Sequence, residues 1–172
     1  MSDNAKSIFI RPSTYILPST VVLVNLIQLP FGPNEWYQSL IKPPLNPPDW
    51  VFGVVWPILY ILIAISLTWW WQTRHLRSDY LNNKIGFLFG TNLLFNALYS
   101  PLTFGLESLE WGLATISVVA VTSALLIYNL SLDGDHDGEH LTPEFIQSRL
   151  LGPYHLWTLF ALYLSFGLLI LN

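Results

Sequence analysis

Tryptophan and tyrosine side chains inside apolar segments are the residues of this sequence best suited to chemistry. Trp56 and Tyr60 are four residues apart, so on a helix they share one face. A later apolar segment repeats this arrangement with Tyr154, Trp157, Ala161 and Ser165. Such rings can stack against a flat aromatic ligand. Trp56 and Trp157 are also the candidate catalytic residues, since an indole can pass an electron to an excited or oxygen-activated ligand.

A stripe of amide and hydroxyl groups lies in a third apolar segment. Asn92, Asn96 and Ser100 recur every four residues and so share one helical face, with Tyr99 and Thr103 beside them. Amides at membrane depth are costly unless they contact protein, water or a ligand. The stripe therefore predicts either hydrogen bonds between helices or the polar wall of a binding site.

Two further groups could bind metal. Asp133, Asp135, Asp137, Gly138 and Glu144 match the spacing D-x-D-x-D-G-x5-E of a calcium loop. The sequence contains no partner loop for it and places a proline directly before the last acid, which favours a solvated acidic turn. His155 could ligate haem iron or serve as an interfacial hydrogen-bonding group. We expect no dedicated metal site.

The segments that carry these residues belong in a bilayer. The 172 residues are 52% hydrophobic and 10% charged, with a mean hydropathy of +0.46, whereas soluble domains have about 25% charged residues. We predict an all-α integral membrane protein, a bundle of five transmembrane helices in one domain, residues 1–172. The lipid bilayer is the expected partner, and nucleic acid is not. The apolar runs cover about residues 12–31, 50–71, 85–104, 111–132 and 149–171.

Basic residues are distributed unevenly between the two sets of loops. The N-terminal side would carry six of them and the opposite side only Lys42, which predicts a cytoplasmic N-terminus and an opposite C-terminus. The sequence contains no cysteine, so thiol nucleophiles and thiolate ligands are excluded. The spans contain no acid–base pair or nucleophile triad, which argues against hydrolysis. The six basic residues are Lys6, Arg11, Arg74, Arg77, Lys84 and Arg149.

Several of these motifs together resemble the translocator protein family, which comprises the tryptophan-rich sensory proteins and the peripheral benzodiazepine receptor. The similar segments are WYQSLIKPPLNPP at residues 36–48 with Trp56 after it, NLLFNALYS at 92–100, LLGPYHLWTLFA at 150–161, and the final LN. They occur in the family's order and extend over nearly the whole chain.

The resemblance implies a five-helix bundle, usually a homodimer, whose pocket binds porphyrins such as protoporphyrin IX and haem as ligands, with no cofactor required. Trp36 and Tyr37 would begin a loop that covers the pocket. By the same resemblance, Trp56 and Trp157 contact the ligand. The remaining wall residues would be Tyr60, Asn92, Asn96, Ser100, Tyr154, Ala161 and Ser165.

Three functions remain open from the sequence. The first is a receptor or carrier for porphyrins, and the second is an enzyme that degrades tetrapyrroles. The third is a sterol-binding or structural subunit. This chain departs from the family pattern at Leu45, at Tyr99 and at Pro57, which follows Trp56 directly. Pro57 is expected to disturb its helix and to free a carbonyl near Gly53.

Overall fold

The regular structure of the chain is helical throughout the residues described here. The computed structural model describes residues 13–132 and 143–172. The helices in chain order are α1 (Ser13–Gln28), α2 (Glu35–Ser39), α3 (Asp49–Thr73), α4 (Asp79–Ser100), α5 (Leu109–Leu132), α6 (Pro143–Leu150) and α7 (Gly152–Leu171). A 3₁₀ turn, Arg74–Leu76, follows α3, and a π-helical turn, Pro101–Gly105, follows α4.

The prediction of an all-helical membrane protein is confirmed. Within the described residues, three segments are long and apolar enough to cross a membrane: Asp49–Leu76, Leu109–Ser131 and Gln147–Leu171. They correspond to the second, fourth and fifth predicted spans. The helices α1 and α4 correspond to the first and third, so the count of five membrane crossings stays a prediction.

Local signals explain where two helices differ from the predicted spans. The fourth helix begins at Asp79 rather than near residue 85, because Ser78 caps it by accepting a hydrogen bond from the Leu81 N–H at 3.3 Å. The last span was predicted from residue 149, but Arg149 belongs to α6 and α7 begins at Gly152. Proline at position 153 suits this helix start.

The five long helices form a closed ring. The first helix packs against α3 and α4, α5 packs between α4 and α7, and α7 contacts α3. Apolar side chains such as Ile63, Phe89 and Val119 fill the interior and are at most 2% exposed. The ring leaves a space at the end of the bundle where α1 ends and α3 begins.

The segment between α1 and α3 is fastened across this end of the bundle. Its Ile41 backbone is bound twice by the Asn172 amide, which accepts from the Ile41 N–H at 2.9 Å and donates to the Ile41 carbonyl at 3.1 Å. The Tyr163 hydroxyl donates to the Pro44 carbonyl at 3.0 Å. A methyl group on Gly167 would lie 2.7 Å from Pro43 Cβ, so glycine permits this close approach. Residues 29–48, the cover segment, are thus attached mainly to α7.

Candidate functional site

A cavity of about 310 Å³ lies beneath the cover segment, between the ends of α1, α3, α4 and α7. Six of the predicted site residues line it: Tyr37, Trp56, Tyr60, Ser100, Ala161 and Ser165. The other lining residues are Gln28, Leu29, Phe31, Gly32, Pro33, Phe52, Gly53, Pro57, Tyr99, Phe104, Leu164 and Leu168. The lining is therefore mainly aromatic and apolar, with a few amides and hydroxyls, as is usual for small-molecule pockets.

Aromatic rings form two sides of the cavity. On α3, Trp56 stacks on Tyr60 with ring centroids 5.6 Å apart and an interplanar angle of 28°, as their spacing of four residues allows. On the opposite side, the Phe104 ring lies edge-on to Tyr37 at 5.3 Å and to Tyr99 at 6.3 Å. A flat ligand between these sides would contact aromatic rings on α3 and on the other wall.

Hydrogen bonds link the polar groups at the base of the cavity. Gln28 Nε2 donates to the Tyr60 hydroxyl at 2.8 Å, and the Ser100 hydroxyl donates to Gln28 Oε1 at 3.2 Å. The Tyr60 hydroxyl then donates to Asn96 Oδ1 at 3.3 Å. These groups connect α1, α3 and α4, so they orient Tyr60 and anchor the end of α1 over the cavity.

The two predicted asparagines and Tyr154 lie behind this wall rather than on it. Asn92 Nδ2 donates to the Val119 carbonyl at 3.0 Å and to the Thr122 hydroxyl at 2.8 Å, and Asn92 Oδ1 accepts from the Tyr154 hydroxyl at 2.7 Å. Asn96 donates to the same Tyr154 hydroxyl. Asn92, Asn96 and Tyr154 are each at most 2% exposed. Of the two roles open for the stripe, these contacts match hydrogen bonding between helices.

Trp36 and Trp157 also fall outside the cavity lining. The Trp157 ring packs against Phe52, a lining residue, with centroids 5.9 Å apart, and its Nε1 has no hydrogen-bond partner within residues 13–132 and 143–172. It is therefore separated from the cavity by one ring. Trp36 is half-buried in α2, and its carbonyl accepts from the Ser39 hydroxyl at 2.7 Å. Its neighbour Tyr37 is the residue of α2 that reaches the cavity.

Lys42 is the charged group of the cover segment nearest to the cavity lining. Its Nζ lies 3.2 Å from the centroid of the Tyr37 ring and donates to the Tyr37 carbonyl. Partial burial lowers the pKa of Lys42. Burial, with smaller contributions from Tyr99 and Asp49, raises the pKa of the Tyr37 phenol to about 12. Tyr37 thus presents a neutral ring held by a cation–π contact.

The candidate metal ligands are placed apart from this cavity. His155 Nδ1 lies 2.8 Å from the Ser123 hydroxyl of α5, and His155 is not a lining residue. Of the acidic segment, residues 133–142 lie outside the described residues, and the side chain of Glu144 does too. Across 13–132 and 143–172, no cluster of three His, Asp or Glu side chains could hold a metal ion.

Sequence reasoning missed Gln28 and the phenylalanines of the wall. Gln28 had a detectable signal, because it is an amide in an apolar run and satisfies the criterion that identified Asn92. Phe52 and Phe104 gave none, since a phenylalanine in an apolar segment faces lipid or protein equally well. Tyr99 was noticed in the polar stripe. Its hydroxyl lies 3.3 Å from the Ser165 hydroxyl across the cavity wall.

Comparison with known proteins identifies the family of this chain. Residues 15–171 match the model of the TspO/MBR family. The tryptophan-rich protein TspO of Archaeoglobus fulgidus is 33% identical over 142 residues, which are 81% of each chain. The same protein of Bacillus cereus is 31% identical over 81% of this chain and 82% of its own. The translocator protein of Homo sapiens is 27% identical over 77% of this chain and 72% of its own. The protein described here therefore belongs to the TspO/MBR family.

Proposed function

We propose that this protein is a membrane receptor or carrier for porphyrins, such as protoporphyrin IX and haem, and for related flat hydrophobic molecules. The observation that carries the proposal is the stacked pair Trp56 and Tyr60 on a cavity wall with Ser100 at its base. A large aromatic ring gains most of its binding energy from such surfaces. Ala161 is small and Ser165 polar, so α7 leaves room opposite the rings.

The size of the site indicates how a macrocycle would bind. The cavity, at about 310 Å³, lies at the lower end of the roughly 300–1,000 Å³ expected for ligand pockets. An apolar groove of about 790 Å³ lies alongside it between α1 and α3, and both share Leu29, Pro57 and Tyr60. A porphyrin would place one edge under the cover segment and extend past Leu29 into the groove. Leu29 is 74% exposed, so its side chain would have space to turn away from the ligand.

The membrane arrangement is part of the same proposal. All five long helices would cross the bilayer, with the N-terminus in the cytoplasm. The cavity, which adjoins the start of α3 and the cover segment, would then open towards the opposite side. The protein would act as a homodimer, as the family resemblance suggests. Lys42 on the cover segment would be available to a propionate of the ligand.

The direct test is a titration of purified protein in lipid nanodiscs with protoporphyrin IX, followed by the porphyrin's absorption bands. We expect saturable binding, and under light we expect these bands to change no faster than they do with empty nanodiscs, because the proposal involves no chemistry by the protein. Trp56→Phe should raise the Kd about fivefold, since an aromatic contact contributes about 1 kcal/mol. The matched control is Trp50→Phe, because Trp50 is 69% exposed and lies outside the cavity.

Three results would count against the proposal. Absence of saturable binding would refute it. An equal Kd for the Trp56 and Trp50 variants would place the site elsewhere. Bleaching that depends on folded protein and stops in Trp56→Phe while binding persists would indicate the degrading enzyme instead.

A further inference from the structure

The third helix contains a carbonyl that cannot form its helical hydrogen bond. In an α-helix the N–H of each residue donates to the carbonyl four residues earlier. Pro57 lies inside α3 and has no N–H, so the Gly53 carbonyl loses this donor. Among the described residues, no side chain donates to it either. The helix continues to Thr73 despite this gap.

The unpaired carbonyl is located in the cavity wall. Gly53 and Pro57 both line the cavity, so the backbone turn that separates them borders it. Gly53 has no side chain to cover its own carbonyl. A Cβ built at that position would meet no atom within 4 Å, so the space beside it is open. The stacked Trp56 ring follows three residues later on the same helix.

Polar neighbours in the wall differ from this carbonyl because they are paired with one another. Gln28 bonds Tyr60 and Ser100, and the Tyr99 hydroxyl lies 3.3 Å from that of Ser165. An unpaired carbonyl in an apolar surrounding is costly. A ligand group that donates an N–H or O–H would remove that cost, whereas a carboxylate facing the same oxygen would be repelled.

We propose that the Gly53 carbonyl determines specificity in this site. The cavity prefers a flat aromatic ligand with an N–H or O–H donor on its edge to a ligand of equal shape that lacks the donor. This inference rests on the proposed function, because it assigns the chemistry of the ligand to the same cavity. Pro57 has the indirect role of keeping the acceptor open.

Carbazole and N-methylcarbazole provide the test, because they differ at the one N–H. Their Kd values would be measured by calorimetry on the protein in nanodiscs. The wild-type protein should prefer carbazole about fivefold, the scale of one hydrogen bond. Pro57→Ala restores the N–H that bonds the Gly53 carbonyl. The ratio of the two Kd values for this variant should therefore fall to about the ratio that partitioning of the two compounds into lipid gives alone. Comparing the ratio between variants cancels partitioning, since the lipid is the same.

Two further variants separate the hydrogen bond from side-chain size and from proline itself. Pro57→Leu restores the same N–H with a larger side chain and should lose the preference too. Pro153→Ala changes a proline in the first turn of α7, where no intrahelical bond is missing, and should keep it.

The outcomes for the two proposals are distinct. An unchanged carbazole preference in Pro57→Ala and Pro57→Leu would overturn the role of Gly53, as would failure of carbazole to bind a protein that binds protoporphyrin IX. If the wild-type protein binds no protoporphyrin IX, the proposed function fails instead.

Discussion

Replacing Asn92 with leucine tests whether the buried asparagines stabilise the bundle or bind the ligand. Asn92 makes three close hydrogen bonds, to the Val119 carbonyl, to the Thr122 hydroxyl and from the Tyr154 hydroxyl. Interhelical bonds in membranes contribute on average about 0.6 kcal/mol each, which gives about 2 kcal/mol. Leaving buried partners unsatisfied adds about 1 kcal/mol. We therefore expect Asn92→Leu to lower the free energy of unfolding by about 3 kcal/mol.

The assay is equilibrium unfolding in mixed micelles, followed by loss of helical circular dichroism. Asn129→Leu is the matched control, because Asn129 is also buried, at 3% exposure, but among the described residues its amide donates only to the Leu125 carbonyl in its own helix. It should lose about 1 kcal/mol or less. Folded Asn92→Leu should bind protoporphyrin IX with nearly the original Kd. If the variant were as stable as the control and bound the porphyrin tenfold more weakly, Asn92 would be a ligand-binding residue and our reasoning would be wrong.

Three further predictions concern the orientation, the cover segment and the acidic segment. Reporter fusions should place the N-terminus in the cytoplasm and the C-terminus opposite, because basic residues concentrate on the N-terminal side; a cytoplasmic C-terminus would contradict this. Gly167→Ala should push Pro43 away and increase the rate of porphyrin release several-fold, as measured by stopped flow. The control Gly90→Ala should leave the rate unchanged, because a Cβ at Gly90 meets no atom within 4 Å. Equal release rates in the two variants would show that the contact between Gly167 and Pro43 does not hold the cover segment. For the acidic segment, calorimetry in added salt should detect no stoichiometric calcium binding at micromolar affinity. Such binding, abolished by Asp133→Asn together with Asp135→Asn, would contradict this expectation.

The sequence predicted those residues of the cavity wall for which helical spacing and the type of side chain pointed to the same helical face. Trp56 and Tyr60 were expected on one face of a helix, and they stack on the cavity wall. Ser100 was expected from the polar stripe and lines the base. In each case helical spacing defined the face, and the residue type indicated that the face was not lipid-exposed.

Contacts between helices were not predictable in the same way. Helical spacing placed Asn92 and Asn96 towards the interior, but the partner depends on which helix packs beside α4, and that helix is α5 with Thr122. Trp157 lies four residues before Ala161, the same spacing as Trp56 and Tyr60, yet Ala161 lines the cavity and Trp157 packs behind Phe52. The part of a helical face that reaches the cavity depends on how the helix is rotated about its axis. A single sequence contains no information on such rotations.

The hydrogen bonds that run through the bundle limit how it can move. They join one residue from each long helix in a continuous path: Gln28, Tyr60, Asn96, Tyr154 and, through Asn92, Thr122. Sliding any helix by one residue would shift its group by about 1.5 Å and break the path. The helices are thus fixed in axial register, and a ligand of the proposed kind would have to enter by deforming the cover segment or the side chains around Leu29. In such a protein, binding of a ligand in the cavity would change the surface of the cover segment and would not slide a helix along the membrane normal.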